Sequence, residues 1–159
     1  MTGVETDVSE DWDSRIDWPA LARSAVHAAV ARSRHPGLSD NEVSVKFTSD
    51  AEVRALNAAW RGQDKATNVL SFPMARESEL AASPLIGDIV LAHGICAAEA
   101  ADKQVPIETH AAHLVVHGIL HLLGYDHETG DADAEEMEEV ERRALASLGI
   151  ADPYHVTEG

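Results

Sequence analysis

Several things are scarce in this chain, and each shortage excludes something. A single cysteine, Cys96, rules out an internal disulfide framework, and its apolar, alanine-rich surroundings fit a packed thiol better than a reactive one. No apolar run is long enough to cross a bilayer. The first residues carry Glu5, Asp7, Glu10, Asp11 and Asp13 and lack the apolar stretch of a signal peptide, so a reducing cytoplasm is the expected location. Repeats and low-complexity segments are absent. Basic residues are few: 12 Lys and Arg against 28 Asp and Glu give a net charge of −16, awkward for a protein that binds nucleic acid. The distribution softens this. Residues 43–76 hold five bases (Lys46, Arg54, Arg61, Lys65, Arg76) against three acids (Asp50, Glu52, Asp64), a local balance of +2 on an otherwise acidic chain.

Histidine is what the chain has in a dense local cluster. Five of its nine histidines fall within residues 110–127. His117, His121 and His127, with Gly124 between the last two, repeat the skeleton of the H-E-x-x-H-x-x-G-x-x-H metal site of metzincin proteases. One part differs: Gly118 stands where those enzymes carry their glutamate base. Residues four apart share a helix face, so His117 and His121 can present two imidazoles to one ion. Gly124 then suits the positive-φ turn that ends a helix and brings His127 back. Three imidazoles with one position left for water is the ligand set of a catalytic zinc, one ion per chain.

His113 competes for a ligand role, since it shares the face of His117 and His121. It lies eight residues from His121, roughly 12 Å along the axis, too far for one ion to bind both. His113 with His117 and an outside ligand stays open as the alternative. His27, His35, His93 and His155 have no partner by spacing and receive no role.

Along the chain, residues 4–8 alternate weakly as a short edge strand, and 18–34 form an amphipathic helix with Leu21, Ala25, Ala28, Ala29 and Val30 inward. Residues 42–48 alternate as a strand, and Ser49 caps a helix over 50–60 whose inner set is Val53, Leu56, Asn57 and Trp60. Strands follow at 67–72 and 85–91, joined by a polar, mobile connection over 76–84. Helices are expected over 94–103, from Pro106 to about Leu123, and over 131–148. The last carries seven acids in its first eleven residues, read as a solvated face near the helix's positive end. The expected fold is α+β, a single domain over 1–159. A small mixed sheet of three to four strands is covered by about five helices, with the metal helix packed on the sheet and loose ends at about 1–12 and 152–159.

The stretch His117-Gly118-Ile119-Leu120-His121-Leu122-Leu123-Gly124-Tyr125-Asp126-His127 resembles the signature of the YbeY family of bacterial rRNA maturation endoribonucleases. Leu56-Asn57 with Trp60-Arg61, then Thr67-Asn68-Val69-Leu70-Ser71-Phe72-Pro73, and later Gly87-Asp88-Ile89 agree in order. One departure is Asn68, where the family more often has Asp. The resemblance implies a zinc-dependent, single-strand-specific endoribonuclease that matures the 3′ end of small-subunit rRNA and serves ribosome quality control. Its partners would be single-stranded rRNA and the small ribosomal subunit, with no membrane. It carries over His117, His121 and His127 as metal ligands and Arg61 as the functional arginine. Arg61 has a planar fork of donors suited to charge growing on a phosphoryl group. Asp126 and His113 are expected beside the ligands, orienting them, and no general base is visible. Two other classes compete: a non-catalytic ribosome-assembly factor, and a zinc peptidase, which the absent glutamate disfavours.

Overall fold

The computed structural model describes residues 2–126 and 130–151. In chain order it contains β1 (Gly3–Val8), α1 (Trp18–Arg32), β2 (Glu42–Thr48), α2 (Asp50–Arg61), β3 (Val69–Pro73), a short 3-10 helix (Glu77–Ala82), β4 (Leu85–Ala92), α3 (His93–Lys103), α4 (Ile107–Leu122) and α5 (Asp131–Ser147). The strands form one mixed sheet in the order β1-β2-β4-β3, with β1, β2 and β4 parallel and β3 antiparallel to β4. This is the expected α+β fold.

Period-two alternation decides which face of the sheet is core. Val43, Val45 and Phe47 of β2 point to one side and are fully buried under α1 and α4. On the other side α2 covers a smaller cluster of Val53, Leu70, Val90 and Ala92. Ser49 starts α2 by accepting from the backbone N–H of Glu52, and Gly62 at φ +68° stops it immediately after Arg61. α4 lies at the centre, against α1, α3, α5, β3 and β4. That explains why it is apolar nearly all round: eleven of its sixteen residues are buried.

Four expectations change. The 1–12 segment is not a loose end, because β1 pairs with β2 and Trp12 is 2 % exposed, edge-on against Trp18 and Phe47. The connection over 76–84 is no open loop; it folds into the 3-10 helix and buries Leu80 in the main core. On α1 the fully covered residues are Trp18, Ala22, Ala25, Val26, Ala29 and Val30, with Leu21 and Ala28 only half-covered at the stripe's margin. Trp60 is not on the inner face of α2: it is 73 % exposed, one step before the helix ends. The expected loose end at 152–159 lies outside the described residues.

Candidate metal centre

Pro106 opens α4, where its missing N–H costs nothing. The helix closes in a paired-bond turn. The Gly124 N–H donates to the His121 carbonyl (3.1 Å) and the Tyr125 N–H to the Leu120 carbonyl (3.0 Å), with Gly124 at φ +102°. This turn folds the carbonyl of Tyr125 back onto the helix, where it lies 3.1 Å from Nδ1 of His121.

One turn earlier, Nδ1 of His117 lies 2.6 Å from Oε1 of Glu141 on α5. A carbonyl and a carboxylate can only accept, so both imidazoles carry a proton on Nδ1. Their Nε2 atoms face each other 3.0 Å apart. Two ligands of a tetrahedral zinc, at bond lengths of 2.0–2.1 Å, would place their nitrogens about 3.3 Å apart. The pair therefore fits a zinc ion in both donor chemistry and spacing. His127, the third expected ligand, lies outside the described residues, and among the described residues no group of three or more metal-type side chains converges.

His117 and His121 line a cleft of about 620 Å³ between α4 and β3, together with Arg61, Asn68, Ser71, Tyr125 and Asp126. Arg61 thus arrives beside the histidines from the end of α2. Its Nη2 donates to the Ser71 carbonyl (3.0 Å), and its guanidinium lies 5.8 Å from the centre of the Phe72 ring. Asp126 is on the cleft wall. His113 is not: it is buried beneath, with Nε2 3.1 Å from Oε2 of Glu141.

Glu141 is the site residue that the sequence reading passed over. It is 0 % exposed, whereas the sequence pattern of the acidic run predicts a solvated face. The signal was present, since Met137, Val140, Glu141, Ala144 and Leu145 form the buried stripe of α5 and Glu141 is its one charged member.

A second polar cluster backs the cleft. Asn68 donates through Nδ2 to Glu99 (3.0 Å), which also pairs with His110 (2.8 Å). Burial acts to raise the Glu99 carboxyl, but these two hydrogen bonds outweigh it and hold the group below its ordinary value. Burial is also the main cause that keeps His110 below the usual histidine range. Cys96 is covered, and burial pushes its thiol up to about 12, which makes it inert.

A family profile for endoribonuclease YbeY matches residues 7–149. This chain belongs to the YbeY family. Endoribonuclease YbeY of Novosphingobium aromaticivorans is 51 % identical, covering 96 % of each chain, and that of Rhizorhabdus wittichii is 48 % identical, covering 99 % of each. A Thermotoga maritima protein solved in solution shares the fold, with a TM-score of 0.58 at 24 % identity over 98 % of this chain and 100 % of the other.

Two features of this YbeY member now have physical reasons. Asn68 suits its place because Glu99 needs a donor there, and an aspartate would set two carboxylates against each other. A Cβ at Gly118 would lie 3.1 Å from both Ile89 Cγ2 and Ser71 Oγ, so the position points into the helix–sheet seam.

Proposed function

We propose that this YbeY-family chain is a zinc-dependent, single-strand-specific endoribonuclease of the cytoplasm that trims small-subunit rRNA at its 3′ end and serves ribosome quality control. The observation that carries the metal reading is the facing pair of Nε2 atoms on His117 and His121 in the cleft that Arg61 shares. His127 would complete the set. When bound, zinc supplies Lewis acidity toward a phosphate oxygen and acidifies a water.

The chain's own groups do the rest. The two Nδ1 hydrogen bonds keep the imidazoles from turning. Arg61 spends one N–H on Ser71 and keeps the remainder of its fork for the scissile phosphate, where charge grows in the transition state. Trp60, the preceding residue, is exposed on a neighbouring groove that shares Pro73 with the cleft, and it offers a face on which an unpaired base can stack, which favours single-stranded substrate.

The test is incubation of the purified chain with single-stranded rRNA and with casein, each with and without chelator. RNA cleavage that stops with chelator and with His121→Ala is expected, with casein intact. Arg61→Ala is expected to lower kcat on the order of 10². RNA cleavage that survives both chelation and His121→Ala would sink the zinc mechanism. Zinc binding without any RNA cleavage would favour the assembly factor instead.

A further inference from the structure

α5 is a strongly acidic helix with one anomaly. Six of its seven acids are exposed or half-covered, whereas Glu141 is sealed at 0 % exposure. Burying a carboxylate costs several kcal/mol unless partners offset it. Both its oxygens are used: Oε1 lies 2.6 Å from His117 Nδ1, and Oε2 lies 3.1 Å from His113 Nε2. A residue that served only to pack α5 on α4 would be apolar, like its stripe neighbours Met137, Val140, Ala144 and Leu145.

We infer that Glu141 is a positioning residue of the metal centre, acting on zinc through His117. The inference rests on the zinc reading above. A carboxylate on the far nitrogen of a ligating imidazole fixes the tautomer, locks the ring plane and raises the basicity of the nitrogen that faces the metal. Among the described residues, Nδ1 of His121 faces the neutral carbonyl of Tyr125. His113 shares the carboxylate and helps orient Glu141. Glu141, 24 residues beyond His117 in the chain, thus makes α5 part of the metal site.

Glu141→Gln keeps the size of the side chain and removes its charge. The test measures zinc affinity of the full chain at neutral pH by competition with a chromophoric chelator, alongside circular dichroism and thermal melting without metal. For Glu141→Gln the zinc Kd is expected to weaken about 10–100-fold in a folded protein. Leu145→Ala, which loosens the same helix interface, is expected to lower the melting temperature and leave the Kd unchanged. A Glu141→Gln protein that binds zinc like the wild type would overturn the inference and leave the zinc reading standing. Failure of the wild type to bind zinc would remove both. A second measurement needs no variant: long-range ¹H–¹⁵N imidazole spectra of the wild-type apo protein. A proton on Nδ1 of His117 is expected, and one on Nε2 alone would overturn the inference even if Glu141→Gln does not fold.

Discussion

Gly118 shows how one residue can serve two purposes. In the sequence it is the position where a peptidase base is missing. In the fold it lies on the side of α4 that packs against the sheet, with Ile89 and Ser71 in the space a side chain would take. The Ser71 hydroxyl donates to its carbonyl at 3.4 Å, a long contact that lies along the same seam. Restoring the glutamate therefore does not restore a peptidase. Gly118→Glu is expected to cost at least about 3 kcal/mol, because it buries a charge without a partner. Chemical denaturation would measure this, and a stable variant with caseinolytic activity would contradict it. Glu141 teaches the opposite lesson about legibility. His117, His121 and Gly124 announce themselves by spacing along one helix and the turn that ends it, but the histidines that make Glu141 necessary belong to a different helix. Nothing in an acidic run tells its one buried member from the solvated ones except the apolar stripe it interrupts.

Among the elements, the 3-10 helix has the clearest measurable signature. Glu77 bonds His35 (2.8 Å) and Arg34 (3.1 Å), and a Cβ at Gly124 would collide with its carboxylate, so this connection packs against the turn that ends α4. The His35 hydrogen bond is the main cause that holds the Glu77 carboxyl below its ordinary 4.5; burial opposes it and Arg34 adds to it. A depressed carboxylate stabilises the fold fully above pH 4.5 and loses that contribution as pH falls through its lower folded value. Glu77 is 40 % exposed, so solvent screens the pairs. Glu77→Gln is expected to cost under about 1 kcal/mol at neutral pH. The difference is expected to vanish in acid, as read from urea midpoints. A deficit that persisted there would mean lost packing instead. The strands of the core were readable because Val43, Val45 and Phe47 alternate. This connection was not, because Leu80 is its single apolar anchor and its partners stand some forty residues earlier in the chain.

The whole molecule carries −16 charges but must hold a polyanion if it cuts RNA. Of the five bases in residues 43–76, Lys46 and Arg54 are paired with Glu52 and Asp64. Three remain to meet phosphates, so the salt dependence of RNA binding is expected to be shallow. A plot of log affinity against log salt has a predicted slope no steeper than about −2. Anisotropy titrations with labelled single-stranded RNA, in chelator to prevent cleavage, would measure it, and a much steeper slope would require basic contacts beyond this segment. The contact of Arg61 with Ser71 bears on which polymers are admitted at all. β3 is the outermost strand on this side, and the Ser71 carbonyl it would offer to an added strand already accepts from Arg61. A peptide seeking to extend the sheet beside the histidines would find its first acceptor taken. Under the proposed function, the guanidinium that blocks amide pairing would also be the group that meets a phosphate, so one side chain would both turn peptides away and draw nucleic acid in.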